Sequence, residues 1–164
     1  MINQVPICPI EFDESLTKHK VEFSVPGKPF AKQRPRVVTR GGFARAYTPK
    51  QTVDYENLVK KSYSQTVGNL ELNGPISAKI EGVFPIPKSI SKKDEEMMLK
   101  GDILHTKKPD CDNIAKSVLD ALNGIAYNDD SQVCKLSINK VYGEIPKTNV
   151  ILEEIKQRKE YNKW

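Results

Sequence analysis

Two aspartates stand two positions apart in the stretch KKPDCDNIAKSVLDAL, which runs from Lys107 to Leu122. Asp110 and Asp112 follow a proline and precede an amphipathic run. Because two carboxylates this close repel each other unless a positive charge lies between them, the pair predicts a bound cation. The alternative is structural, since acids in the first turn of a helix cap free N–H groups and complement the helix dipole.

Further acidic residues favour a metal-binding role for these aspartates over a helix-capping role. Asp112, Lys116 and Asp120 are spaced four apart, which places them on one face of the predicted helix. A second pair, Asp129 and Asp130, directly precedes a predicted strand, and loops at strand ends commonly present functional side chains. We expect the turn after the helix to return this second pair towards the first. Carboxylates that converge without a cysteine or histidine pair suit Mg²⁺, with Mn²⁺ as a substitute, and not zinc.

Two more side chains are candidates for this site. Lys116 either forms ion pairs with the aspartates one helical turn away or stabilises developing charge on a phosphate, and its spacing leaves both open. His105 is either a general base or phosphate contact, or a solvated loop histidine. Cys111, between the two aspartates, is expected to point into the core as a small hydrophobe.

A long segment from Gly27 to Lys50 is basic and contains no acid. Its cations are Lys28, Lys32, Arg34, Arg36, Arg40, Arg45 and Lys50. Phe30, Phe43 and Tyr47 are interleaved, and the Gly41–Gly42 pair predicts a β-hairpin in the middle. Cations mixed with aromatic wedges are typical of a surface that contacts a nucleic-acid backbone. The alternative is a solvated basic loop.

Composition bounds the class of protein. With 164 residues, a net charge of +5 and 38% hydrophobic residues, the chain fits one water-soluble domain that favours a polyanionic partner. We expect no signal peptide and no membrane span, and the three scattered cysteines indicate reduced thiols in a cytoplasmic protein. The predicted organisation is an irregular arm over 1–19, a domain over 20–155 and a basic tail over 156–164.

Hydrophobic periodicity predicts the secondary structure. Alternating residues indicate strands at Lys20–Val25, Pro75–Phe84, Val133–Tyr142 and in the late stretch NVILEEI. Helical spacing indicates three helices, the first capped by Thr48 with Pro49 and Gln51 behind it, the second beginning at Ser91, and the third ending at Gly124. The order predicts an α+β fold, with helices packed on a mixed four-stranded sheet that closes in an antiparallel hairpin.

The two acidic stretches, KPDCDNIAKSVLDAL and YNDDSQV, resemble the signature of the RusA-type Holliday junction resolvases. That pattern is Asp-x-Asp-Asn, a lysine four residues after the second aspartate, Asp-Ala-Leu, and an Asp-Asp pair before a strand. The resemblance implies that Asp110, Asp112 and Asp130 are catalytic and bind the metal together with the neighbouring Asp129, and that Lys116 is the catalytic lysine. It also implies a RusA-like fold and a homodimer that resolves a four-way DNA junction by paired nicks, in DNA recombination and repair.

The chain departs from this family pattern in three places. The segment GKPFAKQRPRVVTRGG is longer than its counterpart in enteric members, and residues 1–19 and the Ser89–Lys100 helix are additions. Three alternatives therefore remain: a less selective nuclease for flaps or other branched DNA, a DNA-binding protein without chemistry, and an acid-rimmed protein-interaction module. A pure DNA binder gains nothing from acids that face a polyanion, and an interaction module leaves the acid-free basic segment unexplained.

Overall fold

The structure, a computed structural model, describes residues 16–34, 36–40 and 43–156. Most of the predicted arm over 1–19 and all but the first residue of the predicted tail therefore lie outside the described residues. The strands are β1 (Thr17–Pro26), β2 (Arg36–Arg40), β3 (Phe43–Tyr47), β4 (Ile76–Pro85), β5 (Val133–Gly143) and β6 (Lys147–Ile155). The helices are α1 (Lys50–Thr66), α2 (Lys92–Lys100) and α3 (Cys111–Leu122), and a short 3-10 helix covers Asp130–Gln132.

A mixed four-stranded sheet carries the three helices, which confirms the predicted α+β fold. The strand order is β1-β6-β4-β5; β4 and β5 are parallel and the other pairs are antiparallel. The apolar stripe of α3, formed by Ile114, Val118 and Leu122, is fully buried, and β1 contributes the alternate residues Val21, Phe23 and Val25 to the same core.

The predicted β-hairpin in the basic segment is also confirmed, because β2 and β3 pair antiparallel as a separate two-stranded sheet. Gly41 and Gly42, where the reversal was predicted, lie outside the described residues. Within the described part of the chain, no helix has the length and apolar character needed to cross a membrane.

The expectation that the last two strands form an antiparallel hairpin is wrong. Between β5 and β6 lies β4, because α2 and α3 form a crossover that makes β5 a parallel neighbour of β4. The chain then passes over the end of β4 and enters the slot between β4 and β1. Gly143 lies at this crossing, where an added Cβ would stand 2.6 Å from Cγ1 of Val83. Glycine at this position therefore lets the chain pass close to Val83 as it leaves β5.

Two predicted boundaries also shift. Pro49, not Thr48, is the N-cap residue of α1, and no side chain caps this helix, because the backbone of Pro49 is still extended. β1 starts at Thr17 rather than at Lys20. Two ion pairs to the buried Glu154 on β6 hold these additional residues against the sheet. Lys18 Nζ lies 3.2 Å and His19 Nδ1 lies 2.8 Å from the carboxylate of Glu154.

Replacing Gly143 with alanine should lower the free energy of unfolding by about 1–3 kcal/mol, since the added methyl overlaps Val83. Urea denaturation followed by circular dichroism measures this change. In a Val83→Ala background, which removes the overlapping methyl groups, the same glycine replacement should cost much less. Equal stability of Gly143→Ala and wild type would contradict the close crossing over β4.

Candidate active site

A groove of about 580 Å³ runs between the segment after β1 and the start of α3. Two hydrogen bonds hold the segment against the helix: Ser117 Oγ donates to the carbonyl of Phe30 at 2.7 Å, and the N–H of Lys32 donates to the carbonyl of Asn113 at 3.2 Å. The lining of the groove includes four cations, one acid and one asparagine: Lys28, Lys32, Arg34, Lys108, Asp110 and Asn113. The first part of the predicted basic surface therefore lies beside the first predicted acid.

Asp110 lines this groove, and Asp112 follows it two residues later in the first turn of α3; both residues are exposed. Asp110 occupies the N-cap position of α3, yet its side chain makes no capping hydrogen bond. Asp112, in the first turn, accepts a long hydrogen bond of 3.4 Å from Nδ2 of Asn113. The capping alternative is therefore not realised for Asp110, and its oxygens are available to a ligand.

Lys140 on β5 fixes the approach to Asp110. Its ammonium group donates to the carbonyl of Lys107 at 2.8 Å and to that of Pro109 at 2.9 Å. Because both carbonyls belong to the segment just before α3, the two bonds anchor the amino end of α3 to the carboxyl-terminal half of β5. Asp110 is thereby set at the end of the sheet where β4 and β5 finish.

The two residues of the second acid pair differ in their contacts: Asp129 caps a helix, whereas Asp130 does not. Asp129 caps the 3-10 helix: its carboxylate accepts from the N–H of Ser131 at 2.9 Å, and Gln132 Oε1 accepts in return from the N–H of Asp129 at 3.2 Å. The hydrogen bonds from Ser131 hold the pKa of Asp129 below its usual value. The half-buried Asp130 makes no such bond. Its charge adds to burial in raising the pKa of Tyr127.

Gln132 attaches this turn to the opposite end of the sheet from Asp110. Its Nε2 donates to the carbonyls of Leu72 and Gly74, both at 3.1 Å, directly before β4 begins. From Val133 to Lys140 the chain rises seven residues along β5, which corresponds to roughly 23 Å. The 12 residues of α3 span a similar distance of about 18 Å.

The expectation that the turn after α3 brings the two acid pairs together is wrong within one chain. α3 runs back along β5 for its whole length, and the turn that follows pairs with Leu72 instead of returning along the helix. Among the residues that the structure describes, no three histidine, cysteine or acidic side chains are close enough to hold a metal ion. Asp110 and Asp112 nevertheless suit a hard cation, since Mg²⁺ is commonly held by one or two carboxylates with the substrate phosphate.

Lys32 and Asp120, both candidates from the sequence, bind each other. Lys32 Nζ lies 2.6 Å from Oδ2 of Asp120 and 3.0 Å from Oε1 of Glu56 on α1. Burial alone would lower the pKa of Lys32, but the bonds to the two carboxylates outweigh it and raise the pKa. No pattern in the sequence pointed to Glu56, because the contact depends on how α1 packs beside α3. Lys32 thus neutralises protein acids and ties the basic segment to two helices.

Lys116 makes no ion pair with any described residue, although one with Asp112 or Asp120 was the alternative left open by the spacing. Its side chain is exposed one turn after Asp112. The ammonium group is therefore available to a phosphate bound at the groove.

His105 is neither solvated nor a member of the groove. It is 8% exposed, stacks on Phe84 with ring centroids 3.9 Å apart, and meets Tyr142 at 5.1 Å. Burial, followed by the charge of Lys140, lowers the pKa of His105, so the ring is neutral at pH 7. Its position supports the loop that leads to Asp110. Its predicted role as a base or phosphate contact stays a prediction.

The remaining predicted cations lie in two places. Lys50 is exposed at the start of α1, and Arg36, Arg40 and Arg45 belong to the β2–β3 hairpin. Cys111 is half-buried and so only partly fulfils its expected place in the core.

Replacing Lys32 with alanine should lower the free energy of unfolding by about 1–3 kcal/mol, because Asp120 and Glu56 would then repel each other without a cation. The matched control is Lys28→Ala, which removes an exposed lysine of the same groove and should change stability by less than about 0.5 kcal/mol. Chemical denaturation of both variants measures the difference. If the two variants unfold alike, the triad does not tie the segment down.

Comparison with known proteins agrees with this geometry. The family profile described as Endodeoxyribonuclease RusA matches residues 26–153, which contain the groove and both acid pairs. The uncharacterized protein YqaN of Bacillus subtilis (strain 168) is 38% identical over 137 residues, which cover 82% of this chain and 96% of that protein. The chain therefore belongs to the RusA family of endodeoxyribonucleases, hydrolases that act on DNA.

Proposed function

We propose that this protein is a divalent-metal-dependent, structure-selective endonuclease that resolves four-way DNA junctions by paired nicks. The observation that carries the proposal is the groove in which Lys28, Arg34 and Lys108 lie beside Asp110. The carboxylate of Asp110 makes no capping hydrogen bond to the helix. Cations along a groove bind a DNA backbone, and an acid among them opposes that binding unless a metal ion neutralises it. An acid in this position favours hydrolysis over simple DNA binding.

Each group at the groove has a distinct part in this proposal. Lys28, Arg34 and Lys108 bind phosphates and align the strand along the groove. Asp110 and Asp112 would hold Mg²⁺, which when bound supplies an activated water and neutralises charge on the scissile phosphate. Lys116, one turn away, donates hydrogen bonds to the same phosphate and stabilises the charge that develops there.

The symmetry of a four-way junction supports a homodimer. Resolution requires two matched nicks, and one chain carries one such groove among its described residues. Two grooves then need two chains, and a two-fold dimer is the simplest arrangement that relates them.

Asp110→Asn and Asp112→Asn should each abolish cleavage of labelled four-way junctions in Mg²⁺ while preserving binding, because they remove a metal-binding oxygen and a charge that repels DNA. Asp129→Asn is the matched control: asparagine caps a helix as well as aspartate does, so cleavage should stay within a few-fold of wild type.

The same assay compares junction, flap and duplex substrates. Full cleavage by Asp110→Asn would exclude this metal site. Equal rates on flap and junction would replace the resolvase with the less selective branched-DNA nuclease.

The groove cations also predict how binding depends on salt. Replacing Lys28, Arg34 and Lys108 with alanine should make the slope of log affinity against log salt shallower by about 2–3, one unit or slightly less for each lost phosphate contact. The control replaces Lys92, Lys93 and Lys100 of α2, which removes the same charge from another surface. A slope that changes only in the α2 variant would move the DNA contact to that helix.

A further inference from the structure

A second cavity opens beside the groove, at the end of the sheet where β4 and β5 finish. It measures about 150 Å³, and its lining includes three aromatic residues, Phe84, His105 and Tyr142, and two lysines, Lys28 and Lys107. Lys28 also lines the groove, so the two cavities share part of one wall. The aromatic pocket formed by these residues therefore adjoins the place where the proposed function puts the DNA strand.

The parallel strand pair positions the rings of the aromatic pocket. Phe84 on β4 and Tyr142 on β5 are direct neighbours in the register of the sheet. His105 stacks on Phe84 with ring centroids 3.9 Å apart, and its ring centroid lies 5.1 Å from that of Tyr142. Phe84 and His105 are buried, whereas Tyr142 is only half-buried. Tyr142 is therefore the ring that a ligand reaches first, and His105 packs against it.

His105 brings an unpaired polar atom to this pocket. Its Nδ1 is buried and has no hydrogen-bond partner among the residues that the structure describes. Buried polar atoms nearly always have a partner, so an exception marks a place that a ligand or a water molecule completes. The lowered pKa of His105 keeps the imidazole neutral, and a neutral imidazole has one donor and one acceptor nitrogen. Both match the polar edge of a heterocyclic base.

Size and charge narrow the class of ligand. A volume of about 150 Å³ corresponds to roughly five water molecules and is below the roughly 300–1,000 Å³ of pockets that enclose a whole drug-sized ligand. The pocket thus accommodates one ring system. Pro85 and Pro87 complete its lining, which contains no acid among the described residues, and both lysines are exposed. Aromatic surface inside and cations outside suit a nucleobase whose phosphates stay in the groove.

We infer that the aromatic pocket receives one unstacked nucleobase of the DNA strand whose phosphates lie in the groove. The base stacks on Tyr142, and Lys28 and Lys107 bind the phosphates on either side of it. This inference rests on the proposed function and adds a means of selecting branched DNA. Taking a base out of a continuous duplex costs stacking and pairing free energy, and the cost is smallest where the stack is already interrupted.

Abasic substitution tests this assignment. Affinity for labelled four-way junctions is measured by fluorescence anisotropy in EDTA, where cleavage is not required, and each nucleotide near the branch point is made abasic in turn. At one position the loss of the base should weaken binding by wild type more than binding by Tyr142→Leu. The difference should be about 5- to 150-fold, the factor that one base–aromatic contact contributes, because the variant lacks the ring.

The matched control is Tyr142→Phe, which keeps the ring and should show the same abasic penalty as wild type. Circular dichroism establishes that both variants are folded. If the abasic penalty is the same in all three proteins at every position, Tyr142 contacts no base, and the inference is wrong.

A second measurement uses only the wild-type protein. 5-Iodouracil is placed at each scanned position in turn, and the irradiated complexes are digested and analysed by mass spectrometry. At one position the base should crosslink to Tyr142. A crosslink to Tyr47 instead, which is exposed in the β2–β3 hairpin, would place the unstacked base outside the aromatic pocket and overturn the inference.

The two proposals fail separately. Wild type that nicks junctions in Mg²⁺ but shows no penalty dependent on Tyr142 keeps the proposed function and loses the base pocket. Wild type that shows this penalty in EDTA but nicks no DNA in Mg²⁺ contradicts the proposed function alone.

Discussion

A parallel pair of strands needs a long crossover connection, and the connection between β4 and β5 contains all the candidate acids, from Asp110 to Asp130. α3 forms its second half and must run back along the sheet so that β5 can start beside the start of β4. The direction of α3 therefore sets Asp110 at one end of the sheet and the turn of Asp129 and Asp130 at the other. Lys140 and Gln132 hold the two ends by hydrogen bonds to backbone carbonyls, so neither end can move towards the other without breaking them.

The lysines and arginine at the start of the basic segment divide into one that pairs with acids of the protein and two that are exposed. Lys32 is placed between Asp120 and Glu56 with its side chain 27% exposed, which attaches the segment to the body of the protein. Lys28 and Arg34, on either side of it, stay exposed and line the groove. Lys32 thus stabilises the position of the basic segment, whereas Lys28 and Arg34 remain available to bind a phosphate backbone.

Local patterns in the sequence were sufficient to predict the helices and strands of the four-stranded sheet. The stripe of Ile114, Val118 and Leu122 predicted α3, and Ser91 with Gly101 predicted both ends of α2, where Ser91 Oγ accepts from the N–H of Asp94. The position of β6 between β1 and β4 was not predictable in this way, since its alternation fits an edge or a central strand equally. The prediction that the two acid pairs lie close together was also wrong because it needed tertiary information. The distance between the pairs depends on the direction of α3 relative to β5, which local patterns do not determine. The pairing of Lys32 with Glu56 likewise needs the tertiary contact between α1 and α3.

The buried Glu154 makes the stability of one end of the sheet dependent on pH. Burial alone would raise the pKa of Glu154, but the bonds from His19 and Lys18 outweigh it and lower the pKa below the usual 4.5. A carboxyl with a lowered pKa stabilises the fold above its unfolded pKa, and that contribution is lost as the pH falls through the folded value. Glu154 joins the first residues of β1 to the last of β6, next to the amino end of β4. Acidification through the pKa of Glu154 therefore removes a stabilising contribution at the end of the sheet that carries Asp130, the end away from the groove.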